Sequence, residues 1–109
     1  TLYDMETKPR EFSSMVMLVR DALFEMKKVL DYTGDVEANY MKMEARCRKI
    51  YVFEERGDEF YREEIRRLFT EKLPAAYVIY WKDILMDTER MLDAAAGAAT
   101  LLQKLFVQI

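Results

Sequence analysis

Four carboxylates carry the strongest chemical signal in this sequence: Glu54 with Asp58, and Glu89 with Asp93. Each pair has the spacing E-x-x-x-D, which on an α-helix sets the second acid one turn beyond the first on the same face, about 6 Å away. Glu54 also falls on a seam. Met43, Cys47, Ile50, Glu54, Gly57, Tyr61, Glu64 and Leu68 recur at alternating spacings of three and four, the period of a helix packed against neighbours. Two seam positions are therefore acids and one is glycine. A leucine in place of Glu54 would stabilise a core by about 1.5–3 kcal/mol, whereas an unpaired buried carboxylate costs several. Positive charge has to reach these acids from elsewhere.

Two such pairs facing each other from adjacent antiparallel helices present four carboxylates and up to eight oxygens. That is a hard-ligand site suited to iron(III), magnesium, manganese or calcium. Both pairs adjoin small residues, Gly57 and the run Ala94 to Ala96, which let two helices approach closely. The alternative is structural: acids on a solvated face, paired with Arg56, Arg62 or Arg90. From Glu54 to Glu64, six acids meet only Arg56 and Arg62, a net charge of −4 that raises carboxylate pKa values unless a cation is bound. With no histidine in the chain, the Glu-x-x-His pair of ferritin-like di-iron bundles is missing, and so are nitrogen ligands for zinc. Cys47 sits on the seam as a small core residue, and the three glycines are isolated, so neither a thiol nucleophile nor a phosphate loop is present. No catalytic constellation emerges, and an enzyme is not expected.

The elements that must position the acids read as helices throughout. At 109 residues and 51% hydrophobic composition, one domain spanning 1–109 with a buried core is expected. Residues 1 to 8 show no period. Phe12, Met15, Val19, Ala22, Met26 and Val29 define a first helix over about 9–32, with Pro9 in its first turn and Thr33-Gly34 ending it. Asp35 caps a second helix over about 35–72, about 57 Å long against about 36 Å for the first. Pro74 opens a third over about 74–108. Its seam is Val78, Trp81, Leu85, Thr88, Leu92, Ala95, Ala99, Leu102, Phe106 and Ile109, with a second stripe of Tyr77, Ile84, Met91, Ala98 and Leu105. The prediction is all-α: an up-down-up antiparallel three-helix bundle with long helices, the uncovered length of the second being a contact surface. A net charge of −3 without a basic patch argues against nucleic acid, and no apolar run spans a bilayer, so membrane association goes through a partner. A single cysteine excludes an internal disulfide and favours the cytoplasm.

The segment Phe53 to Phe69 (FEERGDEFYREEIRRLF), with Trp81 to Ile84 (WKDI) and Thr88 to Ala95 (TERMLDAA), resembles the PhoU-like phosphate-transport regulators. The closer resemblance is to the branch associated with low-affinity inorganic-phosphate permeases. It implies a non-enzymatic regulator docking on a phosphate transporter or its signalling partner, in the cytoplasm or at the inner face of the plasma membrane. It also implies iron, manganese, zinc or magnesium bound by the acidic motifs, here Glu54, Asp58, Glu89 and Asp93. Members carry two such repeats. One repeat, opening on Thr1, points to a fragment or the second half of a longer protein, paired with the missing first repeat or with a second copy. A helical protein–protein interaction module holding no metal is the competing expectation.

Overall fold

A computed structural model describes residues 8–108, an all-α rod of 60 × 18 × 15 Å. The aperiodic lead-in assigned to residues 1 to 8 falls almost wholly outside the described residues, as does Ile109. The predicted three-helix bundle is corrected. Helical residues follow one another without an intervening loop over residues 12–70, through a first arm (Phe12–Asp31), a 3-10 turn (Tyr32–Asp35) and a long arm (Val36–Thr70), the chain reversing at Asp35, whose φ of -147° and ψ of 82° are not helical. After a break at Glu71 to Pro74, one C-terminal helix follows (Ala75–Val107). There are thus two helical segments, the first folded back on itself, rather than three separate helices. The physical reason lies at Gly34. A glycine that ends a helix does so in the left-handed region, but no glycine here has positive φ, and Gly34 continues the helical hydrogen bonding. Asp35 still acts as foreseen, its side chain accepting from the Ala38 N–H at 3.2 Å.

The two arms run antiparallel. Arg46 pairs with Glu25, while the Glu11 N–H donates to Glu64 Oε1 at 3.1 Å. Pro9 lies outside the helix it was expected to begin. It accepts from the Phe12 N–H at 3.1 Å and is itself buried, so that the first arm starts three residues later than predicted. The C-terminal helix packs along both arms. One core joins Leu18, Val19, Ala22, Val29, Met43, Cys47, Ile50, Leu92, Ala95 and Ala99. A second, toward the Pro74 end, gathers Met15, Leu68, Tyr77, Trp81 and Leu85, with the Phe12 and Trp81 rings edge-on at 5.0 Å. The seam of the C-terminal helix is buried as read at Trp81, Leu85, Thr88, Leu92, Ala95, Ala99 and Phe106, whereas Val78 and Leu102 are half-buried and Ile109 lies outside the described residues. Its second stripe is buried only at Tyr77: Ile84 is half-buried, and Met91, Ala98 and Leu105 face solvent. Val16, Leu23 and Leu30, seven apart on the first arm, are exposed as well, whereas the long arm, the expected contact surface, exposes only the scattered Met41, Val52 and Phe69 among its large apolar residues.

Two glycines separate packing from propensity. A Cβ on Gly57 would stand 2.2 Å from Leu92 Cδ1, whereas a Cβ on Gly97 would meet nothing within 4 Å. Gly97, within the small-residue run from Ala94 to Ala99, is exposed and is not a site of close helix approach. Gly97→Ala is therefore expected to stabilise by about 0.5–1 kcal/mol through helix propensity. Gly57→Ala gains the same term but must displace a buried leucine, and a net loss of about 1 kcal/mol is expected. Urea unfolding of the two variants checks the opposite signs.

Candidate metal centre

The long arm and the C-terminal helix meet at Gly57, where Leu92 fills the space that a side chain would take. This close approach brings the acidic faces together. On the long arm Glu54 lies about one turn before Gly57 and Asp58 directly after it, and Glu89 and Asp93 flank Leu92 on the opposite helix. Asp93 lies close enough to push the Glu54 carboxyl up, and Asp58 close enough to add to the rise at Glu89, so the two motifs pair crosswise as antiparallel helices require.

Glu54, Glu89 and Asp93 form an acidic cluster geometrically consistent with a divalent-metal site. One carboxylate oxygen from each lies within 4.8 Å of the other two. Two oxygens on one ion are separated by at most twice the metal–oxygen distance, about 4.6–5.2 Å for calcium and about 4.2 Å for magnesium. Separations up to 4.8 Å fall within the span open to two oxygens on one calcium ion, and a smaller ion such as magnesium requires the carboxylates to draw closer. Asp58 is the sequence-predicted ligand that the cluster leaves out, since its Oδ2 accepts from Arg62 Nη1.

The electrostatics of the cluster favour a cation. Glu89 Oε2 is fully buried and has no hydrogen-bond partner. Burial pushes the Glu89 carboxyl up to about 8, with the negative charges of Asp93, Asp58 and Glu54 adding to it. Glu54 is raised too, by burial first and then by Asp93. No arginine or lysine offsets either shift, and among the described residues none pairs with Glu54, Glu89 or Asp93. Arg90, a candidate partner, pairs with Asp87 instead.

Two other acids show what protein-supplied compensation looks like. Glu64, the second seam acid, is 2% exposed and accepts from Arg67 at 2.8 Å as well as from the Glu11 N–H. Glu25, 7% exposed, holds Arg46 at 3.0 Å. Glu25 was missed in the sequence, although its place three residues after Ala22 and one before Met26 sets it at the edge of the first arm's seam. Its arginine lies on another arm, which no local spacing reveals. Two glutamate–arginine pairs four apart in the favourable order lie on the long arm: Glu63–Arg67 forms at 3.5 Å, and Glu44–Arg48 is not formed among the described residues.

A raised carboxyl pKa makes stability depend on pH. Glu89 holds its proton in the fold up to about pH 8 but loses it near its ordinary value of 4.5 once unfolded. Across that window the native state binds more protons, so stability of the metal-free protein falls as pH rises. Allowing for solvent screening at a partly exposed group, the loss is about 1–2 kcal/mol between pH 5 and 8. Glu89→Gln should flatten this slope in thermal melts taken across the range.

No protein-family model, curated protein or solved structure matches the chain. No described helix is long and apolar enough to cross a membrane.

Proposed function

We propose that this chain is a non-enzymatic regulator of inorganic phosphate transport that uses the Glu54, Glu89 and Asp93 cluster to hold a divalent cation between its two helical segments. The observation that carries the cation is the convergence of three carboxylates around a buried Glu89 oxygen that no protein group satisfies. Phosphate transport is supported by the resemblance of the acidic segments to the PhoU-like regulators, and by that alone. In this reading the ion is structural. It neutralises the acids and ties the long arm to the C-terminal helix, presenting a fixed surface to a transporter or its signalling partner at the cytoplasmic face of the membrane.

The competing reading, a helical interaction module without metal, gains one observation: Arg62 covers Asp58. It accounts for that acid but leaves Glu54, Glu89 and Asp93 uncompensated. The transport reading is tested in cells lacking the protein. Restoring the full protein is expected to change the rate of radiolabelled phosphate uptake, and restoring a Glu54→Ala/Asp93→Ala variant is expected not to. Uptake indifferent to the presence of the protein would overturn it.

A further inference from the structure

Two apolar stripes remain in solvent on the side of the rod away from the long arm. On the first arm Val16, Leu23 and Leu30 recur every seven residues and are 44%, 52% and 52% exposed. On the C-terminal helix Met91 and Leu105 are 52% and 47% exposed, and Ile84 and Ala98 complete the same repeat. Both stripes border one groove. On the first arm Leu18 and Glu25 face the long arm, near Gly57 and at Arg46, so Val16, Leu23 and Leu30 lie on the other flank of the buried line Met15, Ala22, Val29. On the C-terminal helix Thr100 and Gln103 meet Tyr51 of the long arm, which leaves Met91 and Leu105 on the opposite flank of Leu85, Leu92 and Ala99. Both helices run antiparallel to the long arm and hence parallel to each other. The contact of Phe12 with Trp81 sets their register, with Leu23 level with Met91 and Leu30 level with Ala98.

A seven-residue repeat on two parallel helices at matched heights is what a further helix needs in order to lay an apolar stripe between them. The first-arm stripe is about 21 Å long and that of the C-terminal helix about 32 Å, the reach of a helix of about 14–21 residues. The groove is concave and fits a rod, whereas a flat surface would touch only its rims. Its charge selects the occupant. Arg20 and Lys27 stand beside the first-arm stripe, 67% and 74% exposed and held only by Asp21 and Asp31 of their own helix. Such exposed pairs are weak and yield to a better partner. Lys28 adds a third cation beyond them, 4.4 Å over the Phe24 ring. On the opposite rim Asp87 is already paired with Arg90.

We propose that the groove between the first arm and the C-terminal helix receives an amphipathic helix of a partner protein, with apolar residues at seven-residue spacing between the two stripes and acidic residues against Arg20 and Lys27. The proposal needs neither the cation nor phosphate transport, because Glu54, Glu89 and Asp93 lie where the C-terminal helix meets the long arm.

The test is fluorescence anisotropy of a labelled synthetic helix of about 21 residues, with leucine at the apolar heptad positions and glutamate on both flanks to keep it from pairing with itself, titrated with the intact protein. It is expected to bind at least about fivefold tighter than the same peptide carrying lysine for glutamate. Leu23→Gln and Met91→Gln, at exposed positions, should keep the helical spectrum and melting temperature yet weaken binding about tenfold or more. Met41→Gln, 81% exposed on the long arm, should change nothing. Arg20→Gln/Lys27→Gln should remove the preference for the acidic peptide. No binding, binding indifferent to Leu23→Gln and Met91→Gln, or equal binding of the lysine peptide would overturn the proposal. So would a wild-type dimer that Leu23→Gln dissociates in sedimentation, since a second copy would then fill the groove, or retention on phosphatidylglycerol vesicles without binding of the peptide.

Discussion

Mn²⁺ at about a hundred times its dissociation constant is expected to raise the unfolding free energy by about 2.7 kcal/mol, because only the folded chain assembles the three carboxylates. For a domain of this size, that moves the melting temperature by on the order of 10 °C. The ion also displaces the proton that Glu89 otherwise retains, so the benefit should be larger at pH 8 than at pH 5, the reverse of the metal-free slope. Glu54→Ala and Asp93→Ala separate this account from a structural one. Both are expected to lose the Mn²⁺ shift while leaving the metal-free protein no less stable, since each removes an uncompensated acid. If these acids were instead partners in internal ion pairs, either substitution would destabilise the protein and Mn²⁺ would do nothing. Scanning calorimetry of the three proteins with and without Mn²⁺ reads both signs.

The second large effect concerns the packing that brings the acids together. Leu92 is fully buried, and its Cδ1 lies where a Cβ on Gly57 would be, with Leu18 also close by. Leu92→Ala is expected to cost about 3–4 kcal/mol, from lost burial plus the cavity that remains. The two positions should also be strongly coupled. Gly57→Ala, unfavourable against leucine, becomes favourable by about 1 kcal/mol in the Leu92→Ala background, where its methyl enters vacated space and helix propensity is gained. Chemical unfolding of the four members of this cycle measures the sign reversal. Because Leu92 lies between Glu89 and Asp93 on its helix, Leu92→Ala should weaken Mn²⁺ binding too, without touching a ligand.

Much of this arrangement is legible in the sequence because helical period is a local property. The seam from Met43 to Leu68 places Met43, Cys47, Ile50, Gly57, Glu64 and Leu68 in the interior, and Leu85, Leu92, Ala95 and Ala99 follow from the same rule. Glu54 stands out as an acid on that seam, and Asp93 and Glu89 are found by the repeat of its spacing. Three features lie beyond such reasoning. Thr33-Gly34 has the composition of a helix end, but whether glycine uses its left-handed freedom depends on how the two arms pack, and here it does not. The arginine that meets Glu25 comes from 21 positions away in the chain, and although Arg67 is local to Glu64, the backbone N–H that Glu64 also accepts from is 53 positions away. Asp58 obeys the metal-ligand spacing as well as Glu54 does, yet Arg62 sits at the equally favourable next turn, and spacing alone assigns the carboxylate to neither partner.

The central claim is that an ion settles the charge on Glu54, Glu89 and Asp93. It is tested most directly by equilibrium dialysis of the purified protein against Mn²⁺, Mg²⁺, Ca²⁺ and Fe²⁺ in turn, followed by elemental analysis, beside a Glu54→Gln/Glu89→Gln/Asp93→Asn variant. The account predicts about one ion retained per chain by the wild type, from at least one of these metals, and none by the variant. Equal retention by the two proteins, or none by either, would contradict it.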